Sequence, residues 1–372
     1  MARRLPRGHL KGVPVGLAFR ICTHCAGGGA RLEALSPSAR EPPMMTTYTV
    51  ENGQLAVRDG TQPPEALRAA VWIDLLNPTS VEEHAVQDAL RLEIPTREEM
   101  QEIESSSRLY KEEDTLFLTA PFLYGVDNGE FSSTAITFVL ANANLITVRY
   151  ATPKAFAVFA ARCQRTPAAL MATPDAVMFH LFEQVVDRLA DILERIAADM
   201  DRASQAAFRT ARAVKVKATT KDADLKDALI TLGQVGEVTT RASETLLGLS
   251  RILTFVGAEK AGAIRRENQP LIKTLVRDVR SLVEHANFLN SKANFLLDAV
   301  LGIINVEQNA IIKTFTVASV ALMPPTLIAS IYGMNFQHMP ELEWGLGYPL
   351  ALLLMVVSAV LPIFYFKRKG WL

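Results

Sequence analysis

Asn309, Thr316, Val320, Met323 and Leu327 recur at three-, four- and seven-residue steps, which places them on one face of a helix. Asn and Thr offer neutral oxygens and Met a narrow apolar ring. Such groups can pass a cation along a shared axis without holding it. Ordinary helix–helix packing also gathers small and polar residues at these steps, and spacing alone does not choose between the two. Little else in the chain suggests chemistry. There is no G-x-x-x-x-G-K-S/T, no G-x-G-x-x-G after a strand, no G-x-S-x-G and no H-E-x-x-H. The six histidines are scattered, and His180 and His285 sit on helical stripes as packing or surface side chains. Cys22-Thr23-His24-Cys25 is a lone C-x-x-C without a second ligand pair, and reads as a chance pair in a tail. No nucleophile–base pair can be nominated, so hydrolysis and ATP-driven pumping have no support and the chain is not expected to be an enzyme.

The elements that would position the striped face are unusual in charge. The chain has 372 residues, 39 basic and 39 acidic, and is 49% hydrophobic. This composition excludes wholesale disorder, and the zero net charge gives no argument for a nucleic-acid partner. Three cysteines are too few for a disulfide framework. Yet only six charged residues fall in the last 60 positions: Lys313, Glu341, Glu343, Lys367, Arg368 and Lys369. Residues 315–332 and 344–366 are uncharged and mostly apolar. Nineteen residues at about 1.5 Å each span roughly 28 Å, close to a hydrocarbon core. The short connection between them implies a hairpin of two membrane spans. Lys313 precedes the first span and Lys367, Arg368 and Lys369 follow the second, while the connecting loop has no Lys or Arg. Both ends are therefore expected in the cytoplasm. Trp344, Tyr348, Tyr365 and Trp371 stand where interfacial aromatics belong. Met323-Pro324-Pro325 is expected to bend the first span. One hairpin cannot enclose an aqueous path, so conduction would need several copies, each donating a helix.

The preceding residues read as a soluble, mostly helical domain. Residues 1–43 hold seven basic residues, three consecutive glycines and several prolines. Their apolar run at 13–19 is short, contains Pro14 and Gly16, and is not a secretory signal. The natural start is expected at Met44 or Met45. Asn52-Gly53 predicts a hairpin, and 71–76, 116–124, 134–140 and 145–150 predict strands. Ser80 to Glu83 predicts a capping box opening a helix to about Leu92. Thr152-Pro153 and Thr173-Pro174 each pair an N-cap candidate with a proline at the first helical position. Leu181, Val185, Leu189, Ile192, Ile196 and Met200 then open a long helical pattern. Similar stripes fill 225–255 and 271–312, with breaks near 218–221 and 257–270. The last helix is expected to run unbroken into the first span.

At the outer end of that span stands Tyr332-Gly333-Met334-Asn335-Phe336, followed by His338-Met339-Pro340-Glu341-Leu342. Here the sequence resembles the CorA family of magnesium transporters, whose signature is Gly-Met-Asn at this place with a Met-Pro-Glu-Leu loop after it. The similarity extends to the segment from Gly302 to Asn309, Pro324-Pro325, Gly347-Tyr348-Pro349 and the Lys367-Arg368-Lys369-Gly370-Trp371-Leu372 ending. In the soluble part, Val71-Trp72-Ile73-Asp74-Leu75 and the segment from Asp88 to Ile103 look similar to the enterobacterial branch. The resemblance covers about residues 46–372.

The resemblance implies an α+β cytoplasmic domain with long stalk helices and a C-terminal two-helix transmembrane hairpin, assembled as a funnel-shaped homopentamer. It divides the chain into an extension that is disordered or non-native (1–45), an α/β domain (46–150), a stalk (151–312), a pore-lining span (313–333), an extracytoplasmic loop bearing Glu341 and Glu343 (334–346), a second span (347–367) and a basic tail (368–372). Gly333, Met334 and Asn335 become the selectivity element. Asn309, Phe315, Thr316 and Met323 line the pore, with Asn335 and Asn309 meeting the metal. Asp298 and Asp278 are regulatory candidates; the position aligned with a known acidic sensor is Thr274. The implied cargo is Mg2+, with Co2+ and perhaps Ni2+, in a bacterial inner membrane with both termini cytoplasmic. The implied partners are lipid, divalent cations and further copies of the chain, with no cofactor, nucleotide or nucleic acid. A zinc-transporting relative on the same scaffold and a non-conducting membrane anchor are the competing readings.

Overall fold

The structure, a computed structural model, describes residues 44–141, 143–212, 218–258, 264–334 and 344–371. The expectations for residues 1–43, the Cys22–Cys25 pair, Asn335, Glu341 and Glu343 lie outside these.

Strands β1 (Met44–Glu51) and β2 (Gln54–Asp59) form the expected hairpin. Its turn residues Asn52 and Gly53 have φ of 52° and 79°, the left-handed pair that matches strand twist in a two-residue turn. Helix α1 (Pro64–Ala69), β3 (Trp72–Leu76) and α2 (Ser80–Leu90) follow. Then come the single turn α3 (Ser105–Arg108), β4 (Leu109–Glu112), β5 (Thr115–Tyr124), β6 (Ser132–Leu140) and β7 (Leu145–Arg149). Helices α4 (Lys154–Arg165), α5 (Pro167–Leu170), α6 (Pro174–Arg212), α7 (Ala218–Ala258), α8 (Gln269–Tyr332) and α9 (Gly347–Arg368) complete the chain.

The seven strands make one sheet in the order β2-β1-β3-β7-β6-β5-β4. All neighbours are antiparallel except β3 and β7. Every residue of β3 and β7 is buried because both faces are covered, which explains why these two strands read as near-continuous apolar runs. One face packs Ile73, Leu75, Phe117, Val139, Ile146 and Val148 with Leu67 and Val86, the apolar side of α1 and α2. The other face packs Trp72, Leu118, Phe122, Phe138 and Leu145 with α4, α6, α7 and the first half of α8 in one continuous core. The α/β unit and the stalk therefore share their apolar interior.

A buried ion pair crosses the middle of the sheet. Arg149 donates from Nε and Nη2 to Asp74 at 3.0 and 2.7 Å, Thr147 Oγ1 donates to the same carboxylate at 2.7 Å, and Trp72 Nε1 donates to Thr147 Oγ1 at 3.0 Å. Tyr48 stacks on Trp72 at 4.2 Å, and burial pushes its phenol up. Two contacts lay α7 across β5. Thr245 Oγ1 accepts from Leu123 N at 3.0 Å. Gly248 sits where a Cβ would stand 2.9 Å from the Ala120 Cβ, so only glycine allows this approach. Asp175, at the start of α6, accepts from Arg265 N at 2.9 Å and Asn268 Nδ2 at 2.7 Å, tying α6 to the turn that launches α8.

Several local expectations differ from the structure. The capping box is one residue earlier: Thr79 is the N-cap and Glu82, not Glu83, is its reciprocal partner. Glu82 also accepts from Met45 N at 3.0 Å, so β1 helps fix the register. Pro153 itself takes the N-cap position of α4, without a side-chain cap from Thr152. Thr173 does cap α6, accepting from Ala176 N at 3.2 Å. Residues 218–221, where a break was expected, are helical in α7. The short β4 and α1 carry no periodic signal and were not expected.

Replacing Asp74 by Ala is expected to cost roughly 3–5 kcal/mol, because Arg149 would remain buried and unpaired. Thr79→Ala should cost only about 1 kcal/mol. Denaturation of the two variants in detergent measures both; equal losses would contradict this ranking.

Candidate ion-conduction path

Helix α8 is a single element of 64 residues, about 96 Å long at the usual rise. The buried positions in its first half are Ile272, Leu275, Val279, Ala286, Leu289, Ala293, Leu296 and Val300. No residue from 301 to 316 is buried, and burial resumes at Val317 and Ala321 where α9 packs alongside. Helix α8 thus leaves the soluble core near Val300 and acquires a new partner near Val317. Pro324 and Pro325 lie inside the helix, which continues to Tyr332. Each proline lacks an amide donor, so the carbonyls of Val320 and Ala321 lose their usual helical partners. Thr316 Oγ1 donates to Ile312 O at 2.8 Å, which satisfies its proton within the helix and leaves oxygen lone pairs for solvent or an ion.

The side of α8 against α9 holds Val317 and Ala321, with Pro324, Pro325, Ile328 and Tyr332 half-buried. On an ideal helix of about 100° per residue, the direction opposite this contact runs through Ile312, Ser319, Thr326 and Ser330, with Phe315, Met323 and Thr316 within roughly 50° of it. All seven are exposed, Phe315 at 70% and Met323 at 69%. Asn309, Val320 and Leu327 are exposed too, but about 70–90° away from that direction, on the flank. The structure therefore brings Phe315, Thr316 and Met323 together on the side remote from α9 and sets Asn309 beside it. Ser319, Thr326 and Ser330 were not singled out by sequence reasoning. Their signal, hydroxyl-bearing residues at seven- and four-residue steps, has meaning only once the position of α9 is known.

Gly333 terminates α8, its N–H bonding Ala329 O at 3.0 Å, and a Cβ there would meet that same oxygen at 3.1 Å. Met334 follows, exposed. Of the acidic candidates, Asp298 is exposed and Asp278 half-buried, with Arg277 Nε 3.5 Å from the latter's carboxylate. Twenty residues of one helix separate the two, about 30 Å, so they do not form a single site. Asp278 instead faces α6. There burial and then Glu183 are the main causes that push the Asp187 carboxyl up, with Asp278 a smaller contributor. Thr274 is exposed. Among the described residues no group of three His, Cys, Asp or Glu is placed to hold a metal ion.

The pattern of a charge-free span packed on one side by α9, with an uncovered opposite side and an end at Gly333-Met334, can be compared with known proteins. A family model described as "CorA-like Mg2+ transporter protein" matches residues 68–368. The chain belongs to this family. The CorA magnesium transport proteins of Salmonella typhimurium and Escherichia coli K12 are each 33% identical to it over 334 residues, covering 88% of this chain and all of theirs. Among solved structures, the CorA magnesium transporter of Methanocaldococcus jannaschii aligns with a TM-score of 0.64 at 15% identity, covering 88% of this chain and 98% of that one. The full-length CmaX protein aligns with a TM-score of 0.61 at 14% identity, over 90% and 100%. Both agree with the α+β domain, long helices and C-terminal helix pair of the CorA fold. At these identities the two structures speak for the fold alone.

Single cysteines on α8, in a chain carrying Cys22→Ser and Cys25→Ser, test the face assignment. Cysteines at Thr316, Ser319 and Met323 should react with a small water-soluble thiol reagent in the assembled, conducting protein, while those at Val317 and Ala321 should be protected by α9. The native Cys163 is fully buried and its thiol is pushed up to about 12 by burial, so it should add no background. Equal labelling of the two sets would mean that the water path does not follow this face.

Proposed function

We propose that this CorA-family chain carries Mg2+, and also Co2+ and Ni2+, across a bacterial inner membrane down the electrochemical gradient. Five copies surround a common axis, each donating α8 to the pore and placing α9 outside it, with both termini in the cytoplasm. The observation that carries this reading is α8 itself: one continuous helix that leaves the packed core of the α+β domain, sheds every charge after Lys313 and ends at Tyr332, where the sequence continues Gly333-Met334-Asn335.

Mg2+ holds its water tightly and keeps an octahedral oxygen shell. A ring of Asn335 amide oxygens at the entrance accepts hydrogen bonds from that hydration shell without stripping it, and neutral oxygens bind weakly enough to release the ion. Asn309 repeats the chemistry at the inner end. Between them Phe315 and Met323 supply apolar constrictions that close by excluding water. An ion of two charges gains about 4.6 kcal/mol for each 100 mV of inside-negative potential, so no nucleotide or covalent step is required. Asn335→Ala is expected to reduce Mg2+ uptake to background while the oligomer still assembles, as read by size-exclusion chromatography. Wild-type flux in this variant would remove Asn335 from the selectivity element.

Regulation follows from Asp298. Five copies of this exposed carboxylate around the inner mouth repel one another, and bound divalent cations relieve the repulsion. High internal Mg2+ then favours the closed arrangement and low Mg2+ the open one. Flux measured against internal Mg2+ should show weaker or shallower inhibition in Asp298→Asn; identical curves would place the sensor elsewhere, with Asp278 and the Glu112-Glu113-Asp114 turn next to be tested.

A further inference from the structure

The end of α9 is built, rather than frayed. Gly370 has φ of +71°, its N–H bonds Lys367 O at 3.2 Å, and Trp371 N bonds Phe366 O at 3.1 Å. This is a Schellman termination, and its usual apolar contact is present as Trp371 stacked on Phe366 at 5.1 Å. The folded-back indole reaches the other span, where the Lys313 ammonium lies 6.0 Å from its ring centre. Arg368 lies 5.5 Å over Phe364 and Lys369 5.4 Å over Tyr365, so each of these two cations near the end of α9 leans its charge on an aromatic ring. Lys313, Lys367, Arg368 and Lys369 are thus gathered at one level of the hairpin. The sequence has no Asp or Glu from 308 to 340 or after Glu343.

Basic side chains gathered with aromatic rings at a hydrocarbon boundary attract an anion, and the anion abundant there is lipid phosphate. We propose that the α8–α9 base is a binding site for anionic phospholipid headgroups of the inner leaflet. Lys313, Arg368 and Lys369 would contact the phosphate, and Trp371 would sit against the glycerol and upper acyl chain. Each basic residue at an anionic surface favours such lipid about fivefold. A headgroup there bridges the pore-lining helix to the outer helix, at the level where α8 has left its cytoplasmic core. The inference rests on the membrane reading of α8 and α9.

The test uses the full chain with Trp344→Phe in vesicles, where Trp371 is the remaining tryptophan near lipid because Trp72 is fully buried in the cytoplasmic core. Fluorescence quenching by brominated phosphatidylglycerol is compared with quenching by brominated phosphatidylcholine. The expected result is a preference for phosphatidylglycerol of about tenfold or more. It should fall severalfold when Arg368→Gln and Lys369→Gln are added, and in the parent at high salt. Addition of inorganic phosphate should leave it unchanged. Equal quenching by both lipids, or a preference indifferent to the substitutions and to salt, overturns the site while leaving the spans in place. Displacement by inorganic phosphate also overturns it, in favour of a soluble-anion site. No quenching by either lipid overturns both this site and the membrane placement beneath it.

Discussion

The hydrocarbon interior offers no water to hydrogen-bond a backbone, so a single apolar segment crosses it as a helix, whose polar groups are satisfied within the segment. Two such helices make a hairpin without a lumen. This constraint governs the rest of the molecule. Helix α8 must keep one side for α9 and leave another uncovered by it, and its spanning stretch after Lys313 must carry no charge. The residues obey this: Val317 and Ala321 are buried against α9, while Phe315 and Met323 remain largely uncovered in a single chain.

Because α8 is unbroken from Gln269 to Tyr332, a rotation or tilt of its first half is passed along to the stretch that bears Phe315, Thr316 and Met323. Its lower half is held firmly. The Asp175 ties, the apolar stripe from Ile272 to Val300, and the close seat of α7 on β5 at Gly248 bind it to the sheet. Between Val300 and Val317 the helix has no buried residue, and this segment contains Asn309. A lever gripped at one end and free in the middle is suited to two arrangements of its upper half. The aromatic-supported cations at its base mark where the free segment enters lipid.

Much of the architecture was legible in the sequence because the signals were local or extreme. Asn52-Gly53 dictates its hairpin through backbone sterics, β3 and β7 announce double-sided burial by their apolar runs, and an uncharged stretch of span length has few soluble explanations. What was not legible depended on tertiary partners. Thr79 and Ser80 are both acceptable caps, and the choice is made by Glu82, which also bonds Met45 N from β1. The four-residue β4 exists only because β5 offers it an edge. Periodicity showed that α8 has a face of interest, yet not how that face is turned relative to α9. Thr316 and Met323 were found by spacing, whereas Ser319, Thr326 and Ser330 were passed over. The Gly-Met-Asn element was recognisable as a resemblance and not from physics alone.

The central claim is that α8 lines a passive, potential-driven path for Mg2+. The most direct measurement is Mg2+ entry into liposomes containing the purified full chain, without nucleotide, under a series of imposed inside-negative potassium diffusion potentials. With equal free Mg2+ on the two sides, the account predicts net entry that increases with the potential and stops when the potential is collapsed. Entry no faster than in protein-free liposomes at every potential would contradict it.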